Sequence, residues 1–85
     1  MEILITKKII NFLETIREKK KVTGKDYSKM HREQYWLITR YLRDNGIIIV
    51  DGINDRNERM WVLTPKGEKL AELSIQIKKI MEEDN

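Results

Sequence analysis

The side chains of this 85-residue chain with the clearest chemical potential lie in one stretch, residues 32–45. Tyr35, Ile38 and Leu42 repeat at i, i+3 and i+7, which is the spacing of one face of an α-helix. Near the opposite face lie Arg32, Glu33, Trp36, Arg40 and Arg43. Exposed arginines can bind phosphates or hydrogen-bond to the edges of bases. Ordinary charged surface helices have the same pattern, so the rest of the sequence must separate the two interpretations.

Positive charge is concentrated around this stretch. Residues 17–43 contain nine basic and three acidic residues, a formal charge of +6, whereas the whole chain has a net charge of +3. Such segregation favours a side that binds polyanions. An ordinary solvated surface is the alternative, and charge alone does not separate the two.

Catalysis and metal binding have few candidate residues. The chain has one histidine, His31, two serines and no cysteine, which excludes disulfides and thiolate metal sites. His31 lacks a second ligand at metal-binding spacing, no glycine-rich phosphate loop is present, and the scattered carboxylates form no acid/base pair. We therefore expect no enzymatic activity, no metal and no cofactor, and a structural role for His31 in the turn before residues 32–45.

Length and hydropathy predict one small domain away from membranes. A chain of 85 residues can bury one modest core. The longest apolar runs, residues 3–5 and 47–50, are too short to cross a bilayer. Lys7 and Lys8 interrupt the apolar core that a signal peptide needs. We therefore expect a cytoplasmic protein.

Two helices are predicted before residues 32–45. Thr6 is a suitable N-cap for a helix over residues 7–19, and Thr23 for a shorter one over residues 24–30. The apolar stripe of the first helix consists of Ile9, Leu13 and Ile16, widened by Ile10 and Phe12. A short helix, a tight connection and a basic amphipathic helix together predict a helix-turn-helix.

The pattern after Gly46 indicates a β-hairpin. Residues 47–50 are rich in β-branched side chains, and residues 59–64 place alternate side chains on opposite faces. Residues 51–58 are rich in turn-forming types and are too many for a two-residue turn. The hairpin should therefore carry a protruding polar loop.

A last helix is expected to begin at Thr64-Pro65 and to run to about Glu82, since Thr favours the N-cap and Pro the first helical position. The 3-4-3 spacing of a short coiled-coil seam is formed by Leu70, Leu73, Ile77 and Ile80. A helix about 27 Å long exceeds what so small a core can cover. We therefore expect homodimerisation through the last turns, at Leu73, Ile77, Ile80 and Met81. Residues 1–5 could be an extra turn, a short strand or an arm on a partner.

The predicted order α-α-α-β-β-α resembles the winged helix-turn-helix superfamily of DNA-binding proteins. Residues 41–48, YLRDNGII, are similar to the exit of its recognition helix. Residues 22–27, VTGKDY, resemble the entry to the second helix of MarR- and PadR-like regulators, and residues 55–67, from DR to LTPKG, resemble their wing and the segment after it. The chain lacks the extra helices with which larger MarR relatives dimerise and hold ligands. Small archaeal winged-helix proteins that dimerise through one C-terminal helix are the closer match, and no small-molecule effector pocket is expected.

The resemblance implies a homodimeric transcriptional regulator that binds specific sites in double-stranded DNA. Residues 1–66 would form the winged-helix domain, and residues 67–85 a dimerisation helix continuous with it. Residues 32–45 would enter the major groove, and the hairpin would contact the adjacent groove or the backbone. The expected DNA-binding residues are Lys25, Lys29, Arg32, Gln34, Arg40, Arg43, Arg56 and Arg59.

Individual roles follow from side-chain chemistry. Arg40 is the leading candidate for base contacts, because bidentate hydrogen bonding to guanine is the commonest specific pairing. Arg59 could instead pair with Asp55 or Glu58 across the base of the hairpin. Trp36 is expected to cover the core or an interface, with stacking on a sugar as the alternative.

Two other functions fit the same fold. One is a protein-interaction module within a larger assembly, which exposure of Trp36 and Leu37 would favour because aromatic groups are enriched at interface centres. The other is an architectural protein that binds DNA without sequence preference.

Overall fold

A computed structural model describes residues 6–83; residues 1–5 and 84–85, which include the apolar start of the chain, lie outside this range. The elements in chain order are α1 (Lys7–Lys19), a 3₁₀ turn (Gly24–Tyr27), α2 (Arg32–Asp44), β1 (Ile48–Ile53), β2 (Arg59–Leu63) and α3 (Pro65–Glu83). The predicted combination of a mainly helical chain with a small antiparallel hairpin is confirmed. No helix within residues 6–83 combines the length and the hydropathy needed to cross a membrane.

The first helix has the bounds that its cap predicts. Thr6 Oγ1 accepts a hydrogen bond from the Ile9 N–H at 3.2 Å, which satisfies one of the free amides at the start of α1. The buried residues of α1 are Ile9, Ile10, Phe12, Leu13 and Ile16. This stripe therefore forms one wall of the core, as its spacing predicts.

The second predicted helix, over residues 24–30, is shorter than expected. Only the 3₁₀ turn forms, and its start is fixed by Asp26, whose carboxylate accepts from the Thr23 N–H at 2.9 Å. The Tyr27 carbonyl then accepts from the Met30 N–H at 2.9 Å. Tyr27 is buried and Met30 packs against the core. The turn closed by this hydrogen bond therefore brings both residues to the core without a further helical turn.

α2 begins and ends where its caps place it. His31 Nδ1 accepts from the Glu33 N–H at 3.3 Å, so the structural role expected of His31 is confirmed. Gly46 ends the segment with a φ of 72°, a conformation that favours glycine. The face of α2 towards the core contains Leu42, which is fully buried, and Tyr35, which packs against the core.

The hairpin is antiparallel, and its register pairs Ile48 with Leu63 and Val50 with Trp61. β1 continues to Ile53, beyond the predicted end at residue 50, because an irregularity in register around Gly52 (φ 90°) lets pairing resume. On its other edge β2 meets Val22. The Val22 N–H and the Trp61 N–H each donate to the other residue's carbonyl, at 3.0 and 2.8 Å, which fastens the hairpin to the helical part of the fold.

α3 packs along α1. Thr64 Oγ1 accepts from the Gly67 N–H at 3.0 Å, which confirms the predicted helix start. Ala71 and Ser74 are buried against the rest of the fold, and Lys78 Nζ lies 3.1 Å from a carboxylate oxygen of Glu14 on α1. Beyond these contacts the helix runs on to Glu83 with most of its side chains exposed.

Candidate nucleic-acid interface

The outer face of α2 is basic because the apolar face is held in the core. Thr39 is buried within that inner face, and its hydroxyl donates to the Trp36 carbonyl at 3.1 Å, so it is satisfied within the helix. Arg32, Arg40 and Arg43 project outward and are exposed. The other predicted DNA-binding residues that are exposed are Lys25, Lys29, Arg56 and Arg59, whereas Gln34 is half-buried.

Most of these cations are free to bind an external anion. Arg43 lies 3.3 Å from the carboxylate of its neighbour Asp44. Within residues 6–83, no ion pair involves Lys25, Lys29, Arg32, Arg40, Arg56 or Arg59. The alternative prediction for Arg59 is therefore wrong, because within residues 6–83 it pairs with neither Asp55 nor Glu58. The Glu58 carboxylate instead accepts from the Asn54 side-chain amide at 3.0 Å.

Asn54 fixes the loop that carries Arg56. Its Oδ1 accepts from the backbone N–H groups of both Arg56 and Glu58 at 2.9 Å, and its own N–H donates to the Glu58 carbonyl at 2.9 Å. Asn57 follows with a φ of 65°. Asparagine commonly bonds the backbone two residues on, so this turn gives Arg56 a defined position. By residue type alone, Asn54 is one turn former among several in residues 51–58.

A groove of about 580 Å³ separates α2 from the hairpin. Its aromatic lining consists of Tyr27, Tyr35, Trp36 and Trp61, and its cationic lining of Arg32 and Arg59. Arginines from two different elements therefore border one opening. The groove could not be predicted from the sequence, because residues 57–61 of the hairpin meet residues 24–39 only in the folded chain and no local pattern marks such a meeting.

Trp36 lies on the outside of the molecule. Of the two expected roles, covering the core is wrong, because 59 % of the surface of Trp36 is exposed, as is 60 % of its neighbour Leu37, whereas covering an interface stays a prediction. The core position beside α2 is already filled by Tyr35 and by Trp61, which is only 4 % exposed. Trp36 instead lines the groove.

The aromatic rings under the groove are packed and uncharged. Phe12 stacks on Tyr27 with ring centroids 4.1 Å apart, and the Tyr27 hydroxyl donates to the Phe12 carbonyl at 2.9 Å. Burial raises the pKa of Tyr27 well above its usual range, and the neighbouring Tyr35 and Asp26 raise it further. Burial also raises the pKa of Tyr35, an effect that its contact with the Trp61 side chain only partly offsets. Both hydroxyls are therefore neutral at physiological pH.

The predicted dimerisation residues are all exposed on α3: Leu73, Ile77, Ile80 and Met81. Leu70, the first residue of the seam, differs because it packs against the protein's own core. β1 also exposes the side chains of Ile49 and Ile53, for which no interaction was predicted. Large exposed apolar side chains in a row indicate an interaction surface.

Comparison with protein-family models, with curated proteins and with solved structures finds no match to this chain. The part of the chain that the structure describes also holds no group of three or more potential ligand side chains that could bind a metal ion.

Proposed function

We propose that this protein is a winged helix-turn-helix transcriptional regulator that binds specific sites in double-stranded DNA as a homodimer. One observation carries the proposal: α2 and the hairpin bring unpaired guanidinium groups, those of Arg32 and Arg59, to the same opening. Phosphates in DNA are closely spaced anions, and cations held on two rigid elements match a continuous anionic surface better than a scattered charge does.

The order of the elements supports the winged-helix assignment. A helix, a short turn and a basic helix precede the hairpin, and the Val22–Trp61 bridge joins that hairpin to the segment between α1 and the 3₁₀ turn. In this arrangement α2 enters the major groove while the loop at Arg56 reaches the backbone or the neighbouring minor groove. A two-fold dimer then requires a palindromic site whose half-sites are about one helical turn apart.

The roles of the cations follow from their positions. Arg40 is exposed and unpaired on the outer face of α2, and a guanidinium there can hydrogen-bond in a bidentate manner to guanine. Arg43, Lys25 and Lys29 contact phosphates. The Arg43–Asp44 pair does not oppose this role, since a surface ion pair stabilises by at most about 1 kcal/mol and a phosphate can replace its carboxylate.

Arg40→Ala tests whether α2 contacts the bases of the DNA site. A preferred duplex is first selected from a random pool, and binding to it and to random duplex is then measured by mobility shift. We expect Arg40→Ala to weaken binding to the selected site about 10- to 100-fold, the cost of one bidentate base contact, and to reduce discrimination. Lys79→Ala, which removes an exposed cation near the end of α3, is the charge-matched control and should change neither quantity. Unchanged affinity and preference in Arg40→Ala would show that α2 does not read the site.

A second candidate function is a protein-interaction module, and the exposure of Trp36 and Leu37 favours it. Failure to bind any duplex at low salt would support this candidate. Binding that does not discriminate between selected and random duplex would instead support an architectural DNA-binding protein.

A further inference from the structure

We propose that the groove between α2 and the hairpin binds one unpaired nucleotide, whose base stacks on Trp36 while its phosphate contacts Arg32 and Arg59. This inference rests on the proposed function, because it assigns a second mode of contact to a nucleic-acid-binding protein. Its ligand class is a single-stranded segment or an extruded base. Regular duplex does not qualify, since its base faces are covered by their neighbours.

The stacking surface is Trp36. Its indole is 59 % exposed on the wall of the groove, beside the half-buried ring of Tyr35. Aromatic side chains that bind single strands offer an open ring face, and every base has a matching π-face. The floor beneath, formed by Tyr27 and Trp61, is buried in the core and so gives the wall a rigid support.

The charge of the groove favours an anionic ligand, such as a nucleotide, over an uncharged one. Arg32 and Arg59 border it and form no ion pair within residues 6–83, while the tyrosine hydroxyls are neutral. The one carboxylate in the lining, Glu58, is already bound to the Asn54 amide at 3.0 Å. The border of the groove is therefore complementary to a phosphate.

Size and polar groups agree with this ligand. A volume of about 580 Å³ falls inside the range of about 300–1,000 Å³ typical of sites for single small ligands. Ser28 and Asn57 also line the groove, and their side chains form no hydrogen bond within the described residues. Both can therefore donate to or accept from the edge of a base.

Intrinsic fluorescence tests the proposal, because the chain has two tryptophans in opposite environments: Trp36 is exposed and Trp61 is buried. The full chain is titrated with a short oligothymidylate, with an oligouridylate and with a blunt duplex of equal length. We expect either single strand to quench the emission of the exposed indole more strongly than the duplex does, because only an unpaired base can stack on the indole face. Trp36→Phe, in which only Trp61 emits, should show no quenching.

Affinity for the labelled oligothymidylate, measured by anisotropy, supplies the second readout. Trp36→Ala should bind about tenfold more weakly, the cost of one lost stacking contact. Leu37→Ala is the matched control, since it removes an equally exposed apolar side chain that is not part of the groove. Arg32→Ala and Arg59→Ala should each weaken binding severalfold, and the circular dichroism of all variants should match that of the parent.

Equal affinity of Trp36→Ala and Leu37→Ala for the oligothymidylate would overturn the proposal, as would equal quenching by duplex and single strand. Duplex binding that depends on Arg40, with no effect of single strands on Trp36, would overturn this inference and leave the proposed function standing. Absence of binding to every nucleic acid would overturn both and would direct attention to a protein partner for Trp36.

Discussion

Asp26 links the short 3₁₀ turn to the end of α1. Its carboxylate accepts from the Thr23 N–H and from Lys19 Nζ, each at 2.9 Å. Burial by itself would raise the pKa of Asp26, but the Thr23 hydrogen bond, together with Lys19 and Lys25, outweighs burial and lowers the pKa below its usual 3.8. The charged form is therefore favoured by folding.

This lowered pKa predicts how stability depends on pH. A depressed carboxyl pKa stabilises the fold above the unfolded value, and the contribution is lost as pH falls through the folded value. Thermal melts from about pH 5 to about pH 2 should therefore show a smaller fall in Tm for Asp26→Asn than for the parent. Asp55→Asn, a change at an exposed loop carboxyl, is the control. Parallel curves for Asp26→Asn and the parent would contradict the assignment.

Ser74 is a buried residue whose hydroxyl group makes no hydrogen bond within the described part of the chain. The residue is only 1 % exposed. A buried hydroxyl without a partner costs desolvation free energy, so Ser74→Ala should raise the free energy of unfolding by about 1 kcal/mol. Urea denaturation measures this, with the exposed Ser28→Ala as a neutral control. A loss of stability in Ser74→Ala would mean that the hydroxyl is bonded after all.

At the scale of elements, the junction between α2, β1 and α3 is held by short polar contacts. The Thr64 hydroxyl donates to the carbonyls of Gly46 and Ile47, at 2.6 and 3.1 Å. The Thr64 N–H also donates to the Ile47 carbonyl, at 3.0 Å. This brings the first turn of α3 against the backbone of Ile47. A Cβ added at Gly67 would overlap the Ile47 carbonyl, so the close approach depends on glycine.

Gly67→Ala should therefore destabilise the protein by about 3 kcal/mol, at the upper end of the usual cost of overpacking, because the obstacle is backbone and cannot rotate away. Gly46→Ala is the matched control: its Cβ meets open space, and only the positive φ of 72° opposes it, at a cost of about 1 kcal/mol. Urea denaturation ranks the two. An equal cost for both variants would contradict the close packing of α3 on residue 47.

The contacts that the sequence could predict are those made by residues close in the chain. Thr6 and Thr64 mark two helix starts, because a cap bonds an amide three residues away. The short turn after Thr23 and the continuation of β1 past Gly52 depend on tertiary packing and a local irregularity, so residue types alone did not indicate them.

The candidate site shows the same division. The outward direction of Arg40 follows from helical periodicity, and the structure agrees with it. The same periodicity places Trp36 near the basic face. Residues 32–45 alone could not show that no other element covers Trp36 there, nor that Trp61, 25 positions along the chain, is the buried indole. Periodicity places a side chain on one face of its own helix, but another element decides what covers that face.

At the scale of the whole molecule, the last turns of α3 expose an apolar row that we propose pairs with a second copy. Ile77→Lys combined with Ile80→Lys should convert a dimer into a monomer in light scattering while leaving helicity largely intact, because both positions are exposed in the single chain. Gln76→Lys, an exposed polar position on the same helix, is the control. A dimer that survives the double change would place the interface elsewhere, for example at Ile49 and Ile53 on β1.

Charge is also distributed on this scale, with a formal +6 in residues 17–43 of a chain whose total is +3. Concentrated positive charge supplies affinity for DNA through the release of condensed counterions, so binding must weaken as salt increases. Arg40 on α2 and Arg56 on the hairpin loop represent the two elements that we propose contact the duplex.

The most direct test is the affinity of a labelled duplex, measured by fluorescence anisotropy at about 50 mM and about 200 mM salt. We predict binding at the lower salt, a loss of affinity of at least about a hundredfold at the higher salt, and a shallower salt dependence when Arg40→Ala and Arg56→Ala are combined. Absence of binding to any duplex at the lower salt, or a double variant with the affinity and salt dependence of the parent, would contradict duplex binding by α2 and the hairpin.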